Sequence, residues 1–287
     1  MRKIGLLSLL CCTGVFGKPS LEAQYAEGNR AWAARIAQLD DQTIREEQRR
    51  LAPMASGLLR EVEPMIRQGS NGLAIQAALL KQFSHYGWRP MLVGFNGYTE
   101  AVPVSVNRQV GNAPPTAEPF PQAGLVKVEL VAASPKAYVA QAWTFATPGA
   151  TDQQRQLLKT AQEALASGIA QVRPGERLGN IGNAIERALD AGKAVAIREL
   201  CGYAMGQQRI QKPQVLGYKS PVESSETMAA GQVLNVHVIA KAGAFGVRFQ
   251  PPDFWTVLTR DGQDSVMLSA MVEVTEDGHR VLSQLLD

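Results

Sequence analysis

The sequence has few residues of the kinds that form disulfides or soft metal sites. Its 287 residues include three histidines and three cysteines. Cys11 and Cys12 lie in an apolar run near the start, which leaves Cys201 as the single thiol of the remaining chain. One thiol cannot form an internal disulfide, so a folded domain must be stabilised by its apolar core. No His or cation stands beside Cys201 in sequence, and a buried, unreactive thiol is the commoner case.

The sequence also lacks a strong excess of charge. It has 29 Lys and Arg against 26 Asp and Glu, a net charge of +3, with 19% charged and 45% hydrophobic residues. This composition is typical of a globular protein. The small net charge gives no electrostatic support for a nucleic-acid or membrane partner. The Lys and Arg residues of 45–67 fit the solvated face of a helix better than a basic stripe.

The first residues have the order of a secretion signal. A basic start at residues 1–3 is followed by an apolar run at 4–17, and Val15 and Gly17 suit the two recognition positions before a cleavage site. The run is shorter than the roughly 20 apolar residues that a membrane span needs. We therefore expect no stable membrane span and a cleaved signal at 1–17, which makes the protein periplasmic or secreted. If the run is instead a buried N-terminal helix or strand, the protein is cytoplasmic.

Two stretches have the apolar spacing of amphipathic helices. After a helical lead-in at residues 18–40, apolar residues recur at intervals of three and four through 43–83 and again through 153–192. In the first stretch, Pro64 and Gly69 are expected to mark the break between two helices.

A strand-rich stretch follows each helical one. These stretches cover residues 91–145 and 195–275, and Asn96-Gly97 has the chemistry of a β-hairpin turn. Two similar halves of helix, helix and strands predict an internally duplicated α+β domain. Because no low-complexity linker interrupts residues 41–287, we expect these residues to form one domain.

Four segments carry a more specific pattern. They are GFNGYTEAVPVSVNRQVGNAPP at 94–115, CGYAMGQQRIQKPQVLGY at 201–218, AGQVLNVHVIAKAG at 230–243 and DFWTVLTRDG at 253–262. In this order they resemble motifs of the methionine aminopeptidases of the M24 metallopeptidases, and the resemblance extends over residues 41–285. It implies the pita-bread fold, an α+β fold in which two pseudo-symmetric helix-helix-strand halves surround a curved antiparallel sheet.

The resemblance also implies which positions would hold metal ions. In the family, two divalent ions bound by two Asp, one His and two Glu generate a hydroxide and polarise the scissile carbonyl. In this sequence the five ligand positions are Glu129, Ala140, Tyr203, His237 and Ser269. The family's auxiliary histidines fall on Asn96, Asn112 and Ile210.

Few of these side chains suit a pair of divalent ions. Hard cations need several anionic oxygens, and one carboxylate, Glu129, and one imidazole, His237, remain at the ligand positions. Tyr203 is a poor neutral donor. Glu273, four residues beyond Ser269 on the same strand face, could supply a second carboxylate if the strand shifted its register. Even then a ligand is missing, and the sequence predicts no bound metal and no other cofactor.

In the implied fold, five polar side chains are expected to converge. They are Glu129, Tyr203, His237, Asn112 and Asn96. In one interpretation they satisfy one another's hydrogen bonds. In another they form a metal-free acid/base site, in which His237 exchanges a proton, Glu129 orients it and Tyr203 donates to a developing oxyanion. Phe95 and Trp255 lie where the family lines its substrate pocket and could form an apolar wall, although a Trp in a strand is more often core.

Three functions are compatible with these residues. The preferred one is a catalytically inactive protein that binds a peptide or small-molecule ligand in the former active-site cleft, because no ligand type is retained in kind. The second is a metal-independent isomerase, lyase or cyclase that uses His237 and Glu129. The third is a residual aminopeptidase with one metal ion. A sealed pocket with His237 and Glu129 within hydrogen-bond reach favours the second, and an open groove favours the first. In the first, the expected ligand contacts are Asn112, Asn96, Phe95, Trp255, Ser269 and Ala140.

Overall fold

The computed structural model describes residues 19–252 and 254–286, so the signal expected at 1–17 lies outside the described residues. Five α-helices occur within them: α1 (Leu21–Ile36), α2 (Asp41–Arg67), α3 (Gly72–Tyr86), α4 (Asp152–Ile169) and α5 (Gly179–Ala191). The helices are combined with antiparallel sheets, so the fold class is α+β as predicted. In the described part of the chain, no helix has the length and apolar character needed to cross a bilayer.

Helix α2 extends further than the sequence pattern predicts. It begins after Asp40, whose carboxylate caps the first turn, and it continues through Pro64. The apolar face of the helix continues past this proline, since Ile66 is fully buried. The helix ends just before Gly69, which has a left-handed φ of 73°. The break expected at Pro64 and Gly69 therefore lies at Gly69 alone.

The strands form three antiparallel sheets. The first contains β1 (Arg89–Pro90), β2 (Val104–Val106), β4 (Leu125–Ala133) and β5 (Tyr138–Ala146). The second contains β3 (Gln109–Gly111), β10 (Val247–Phe249) and β11 (Val257–Thr259). The third contains β6 (Val195–Ala196), β7 (Gly202–Met205), β8 (Gln211–Val215), β9 (Val233–Lys241), β12 (Ser265–Val274) and β13 (His279–Val281).

The β-hairpin predicted at Asn96-Gly97 is wrong. Both residues have the positive φ that such a turn requires, 50° and 82°. They lie in a short 3-10 turn, Phe95–Gly97, closed by the Tyr98 amide donating to the Phe95 carbonyl at 3.0 Å. The flanking strands β1 and β2 do not form a hairpin with each other. Each of them pairs with β4 instead. Turn chemistry thus fixed the local backbone without fixing the partners of the strands.

The duplication expected from the sequence is visible in the packing. Helix α2 packs against β4 and β5, which pair with each other. Helix α4 packs against β9 and β12, which also pair with each other. Each half therefore buries the apolar face of a helix on a pair of long strands.

Side chains join the two halves where β5 runs beside β12. The Thr144 hydroxyl donates to the Met267 carbonyl at 2.8 Å and accepts from the Met267 amide at 2.9 Å. Next to it, the Ser269 hydroxyl accepts from the Ala142 amide at 2.9 Å. We call this contact the β5–β12 seam. In this seam, β5 and β12 are joined by hydrogen bonds between side chains and backbone.

Candidate functional site

A cavity of about 330 Å³, here called the cleft, lies between the two halves. Its wall combines side chains from both: Glu129 comes from β4, Tyr203 from β7 and His237 from β9. Asn112, Phe95 and Trp255 also line it. The structure thus brings together four of the five polar side chains expected to converge, together with both aromatic residues expected in the wall.

Three other predicted residues do not line the cleft. Asn96 lines a neighbouring groove beside α1. Ala140 is buried, and its amide faces the sulfur of Met271 at 3.5 Å. Ser269 is committed to the β5–β12 seam, where its hydroxyl accepts from a backbone amide. Ala140 and Ser269 therefore contribute to the packing between the two halves.

Glu273 does not turn towards the cleft. Its carboxylate forms a two-point ion pair with Arg49 of α2, with Nε to Oε2 at 2.9 Å and Nη2 to Oε1 at 2.6 Å. The pairing of β12 with β9 is regular from Ser265 to Glu273, without the register shift that an inward turn requires. The hydrogen bond from Arg49 holds the pKa of Glu273 below its usual range. The alternative in which this carboxylate replaces a lost metal ligand is wrong.

Two titratable rings of the cleft wall, those of His237 and Tyr203, are neutral near pH 7. Burial lowers the pKa of His237 to about 4, because an imidazolium would lose its hydration there. Burial raises the pKa of the Tyr203 phenol, so it remains protonated. The ring centroids lie 5.5 Å apart. A weakly basic imidazole and a protonated phenol suit hydrogen bonding to a ligand better than proton abstraction.

Glu129 lies in the same wall without binding the imidazole. Burial raises the pKa of its carboxyl group, and the positive charge of Arg209 opposes that shift. Within residues 19–252 and 254–286, no hydrogen bond joins Glu129 to His237. The pair therefore lacks the orienting contact that the acid/base interpretation requires.

Three buried polar atoms at the cleft have no partner in the described protein. They are Nε2 of His237, Oδ1 of Asn235 and Nε of Arg209. Asn235 lies two residues before His237 on β9, and its side-chain amide donates to the Tyr203 hydroxyl at 3.5 Å. Buried polar atoms in folded proteins are nearly always hydrogen-bonded. Two of these atoms belong to side chains that line the cleft, His237 and Arg209, so the wall has unused hydrogen-bonding capacity.

The interpretation of the sequence did not include Arg209. The residue is only 8% exposed, and its guanidinium carbon lies 3.9 Å from the centroid of the Phe95 ring. It lines both the cleft and the groove beside α1. The signal available in the sequence was a single Arg in the Gly-rich segment 201–218. Nothing local showed that the fold would bury it.

The arrangement of helices and strands is similar to that of solved aminopeptidases. Methionine aminopeptidase from Rickettsia prowazekii has a TM-score of 0.80 at 21% identity, covering 83% of this chain and 96% of that one. The enzyme from Thermotoga maritima has a TM-score of 0.75 at 22% identity, covering 94% and 98%. Prolidase from Pyrococcus furiosus has a TM-score of 0.61 at 13% identity, covering 90% and 68%. These similarities confirm the pita-bread fold predicted from the sequence.

The sequence shows the family directly. A profile of metallopeptidase family M24 matches residues 46–276, most of the chain. Methionine aminopeptidase 1 of Bacillus subtilis is 26% identical over 225 residues, which are 78% of this chain and 90% of that protein. Methionine aminopeptidase B of Synechocystis is 26% identical over 244 residues, 83% and 88% of the two chains. The protein therefore belongs to metallopeptidase family M24, as its motifs indicated.

The side chains of the cleft do not fit the pair of ions that the family name implies. Of the five positions that the resemblance assigns to ligands, Glu129 and His237 line the cleft as donors, and Tyr203 offers a protonated phenol. Ala140 has no donor atom, and the Ser269 hydroxyl is used in the seam. Across the described residues, no three His, Cys, Asp or Glu side chains are grouped as a metal site requires. Glu199 and Cys201 also line the cleft, but they are not grouped with the carboxylate and the imidazole that remain at the ligand positions, and these two alone cannot bridge two divalent ions.

Proposed function

We propose that this M24 protein no longer performs the aminopeptidase reaction and binds a peptide or small ligand in the cleft. The donor set of the cleft is the observation that carries the proposal. Of the five assigned positions, one has become a buried Ala and another a Ser that joins the halves. Hydroxide generation and carbonyl polarisation by paired ions need the anionic ligands that these positions lack.

The shape of the surroundings supports an extended ligand. Two further depressions adjoin the cleft: a groove of about 500 Å³ beside α1, here the α1 groove, and a more polar one of about 570 Å³ beyond β8, here the β8 groove. Ile210 lines all three spaces. A short peptide that crosses Ile210 could contact the cleft and one groove together, with the neutral rings of Tyr203 and His237 as hydrogen-bonding partners.

The cleft favours binding over metal-free proton transfer. A base with a pKa of about 4, the value for His237, has little driving force to accept a proton from carbon or a hydroxyl group near pH 7. Glu129 is not hydrogen-bonded to it and cannot orient it. A ligand-binding role needs neither property.

We also propose that the protein acts in the periplasm or outside the cell. The order of basic, apolar and small residues at 1–17 supports a cleaved signal. Removal of initiator methionines has no purpose in that location, which agrees with a changed role. N-terminal sequencing of the protein recovered from its native cells tests this: a first residue at 18 supports export, and an intact Met1 contradicts it.

The metal content of the purified protein tests the proposed function. The protein is incubated with cobalt, manganese or zinc, desalted and subjected to elemental analysis, and hydrolysis and binding of a Met-Ala-Ser tripeptide are measured in parallel. We expect no bound metal and no cleavage, with tripeptide binding that weakens in Tyr203→Phe. Two equivalents of metal with cleavage would overturn the proposal. One equivalent that is lost in His237→Ala would support the residual one-metal enzyme instead.

A further inference from the structure

Arg209 is a buried cation without a counter-ion in contact. Its side chain forms no hydrogen bond or ion pair within residues 19–252 and 254–286, and its buried Nε has no partner. The two buried lysines of that part of the chain have hydrogen-bond partners, and burial lowers the pKa of one of them, Lys127, to about 7. Lys241 contacts Asp261 at 2.7 Å, and Lys127 donates to two backbone carbonyls at 2.9 Å. A buried charge that lacks such partners is costly, which makes Arg209 a candidate for pairing with a bound anion.

The α1 groove is an opening through which an anion could reach Arg209. Among its lining residues are Arg209 and the exposed Arg30, and none of them is an Asp or Glu. The carboxylates of Glu129 and Glu199 line the cleft and not the α1 groove. The lining of the groove therefore carries positive charge without negative charge, which would attract an anionic group.

Much of the α1 groove is apolar, and its sides are held in place. Small and aliphatic side chains form its sides: Ala26, Ala33, Ala37, Met91 and Val93. The buried Asn29 fixes α1 against the chain that follows β1, since its side-chain amide donates to the carbonyls of Pro90 and Val93 at 2.8 and 2.9 Å. Arg89 donates in turn to the Asn29 carbonyl oxygen at 2.9 Å. The groove is thus preformed, which lowers the entropic cost of binding.

We propose that the α1 groove is a second binding site, for an organic anion whose carboxylate pairs with Arg209 and whose apolar part lies along α1. The guanidinium is planar and matches a carboxylate at two points, and Phe95 supports it from one face. A monoanion fits because one buried cation is present, supplemented by Arg30 at the rim. The amides of Asn96 and Gln208 in the same lining can complete its hydrogen bonds. The site adjoins the cleft but does not depend on a cleft ligand.

Calorimetric titration of the purified protein with octanoate tests this site. Octanol, of equal chain length without charge, and octyl phosphate, with a different anionic head, are titrated in parallel. We expect one octanoate per chain, at least tenfold weaker binding of octanol, and at least tenfold weaker octanoate binding in Arg209→Gln. Arg209→Lys should recover part of the affinity, and Arg30→Gln should lose about threefold because that residue is exposed. The exposed Arg173→Gln is the matched control and should bind as the parent does.

Each other outcome has a defined meaning. Equal binding of octanoate and octanol, or unchanged binding in Arg209→Gln, would overturn the proposal. If octyl phosphate binds tenfold more tightly than octanoate, the site prefers a phosphate group, and the assignment of a carboxylate ligand is overturned. Urea unfolding shows whether Arg209→Gln folds: removal of an unpaired buried charge should leave the midpoint unchanged or raised. Tyr203 lines the cleft and not the α1 groove, so Tyr203→Phe should weaken Met-Ala-Ser binding and leave octanoate binding unchanged. Weakened octanoate binding in Tyr203→Phe would place the anion in the cleft and overturn the second site.

Discussion

Tyr203 and His237 lie on neighbouring antiparallel strands with their ring centroids 5.5 Å apart, and both rings are uncharged near neutral pH. At these two positions the resemblance to methionine aminopeptidases assigns metal ligands. The wall has instead become a pair of aromatic hydrogen-bonding groups. The lowered pKa of the imidazole also makes the stability of the fold depend on pH.

His237 makes the folded protein sensitive to mild acid. Its pKa is about 4 in the folded state against an ordinary 6.5, so between these values the unfolded chain binds more protons. Stability from this group is therefore complete above pH 6.5 and falls as the pH drops towards 4. From pH 7 to pH 5 the loss is about 2 kcal/mol. Urea unfolding at both pH values should show this difference in the parent protein.

The His237→Gln variant isolates that contribution. Its unfolding free energy should depend less on pH by the same amount, since Gln does not titrate. Glu129 changes stability in the opposite direction, because burial raises the pKa of its carboxyl group. Comparison of the two proteins cancels this term. Parallel pH profiles for parent and variant would contradict the assignment.

Ser269 is expected to affect stability and not ligand binding. In Ser269→Ala, the buried amide of Ala142 loses its acceptor, which costs about 1–3 kcal/mol. Thermal unfolding should detect this loss while octanoate and tripeptide affinities stay unchanged. Ser167→Ala is the control, because the Ser167 hydroxyl is an exposed donor to a helix carbonyl and its removal should cost less than about 0.5 kcal/mol. A weakened affinity in Ser269→Ala would place this side chain in the ligand site.

The ion pair of Glu273 with Arg49 should contribute measurably to stability. The Glu273 side chain is 4% exposed, so Glu273→Gln weakens a two-point, charge-assisted contact between α2 and β12. We expect a loss of about 1–3 kcal/mol in urea unfolding. A double-mutant cycle with Arg49→Met should return a coupling free energy of at least about 1 kcal/mol. The exposed pair of Glu63 and Arg67 provides the matched cycle, with an expected coupling below about 0.5 kcal/mol.

Gly202 should not tolerate a side chain. An added Cβ would lie 2.3 Å from the Asn235 carbonyl oxygen, so Gly202→Ala must displace β7 from β9 beside the cleft. We expect a loss of more than about 2 kcal/mol. Gly57→Ala is the opposite case, because no atom lies within 4 Å of the added carbon in helix α2. Higher helix propensity should stabilise that variant by about 0.5–1 kcal/mol. Equal thermal stability of the two variants would contradict this account.

Local patterns were sufficient to predict much of the fold. Apolar spacing predicted helices α2 to α5, and the strand-rich stretch expected at 91–145 contains the paired strands β4 and β5. Asn96-Gly97 shows the limit of such patterns. The turn chemistry correctly indicated positive φ at these two residues. It could not indicate which strands pair, because β1 and β2 both pair with the distant β4.

The site was predictable where motifs preserved their spacing. Glu129, Tyr203 and His237 on strands, and Asn112 just after β3, lie in the cleft because these segments keep the order of the family motifs. Arg209 and Glu273 were not predictable, since each owes its role to burial or to a partner far along the chain. The pairing of Glu273 with Arg49 joins residues 224 positions apart.

The β5–β12 seam also bears on how the protein can change over time. At position 269, where the resemblance assigns a carboxylate to metal, the hydroxyl now secures the Ala142 amide across the two halves. A Glu at this position would put a longer, charged side chain in place of the short hydroxyl inside the seam. Such a substitution would disturb the contact between the halves, while Ala140 would still offer no donor atom to a metal. The same position thus bears on both the packing of the halves and the metal site that the resemblance implies.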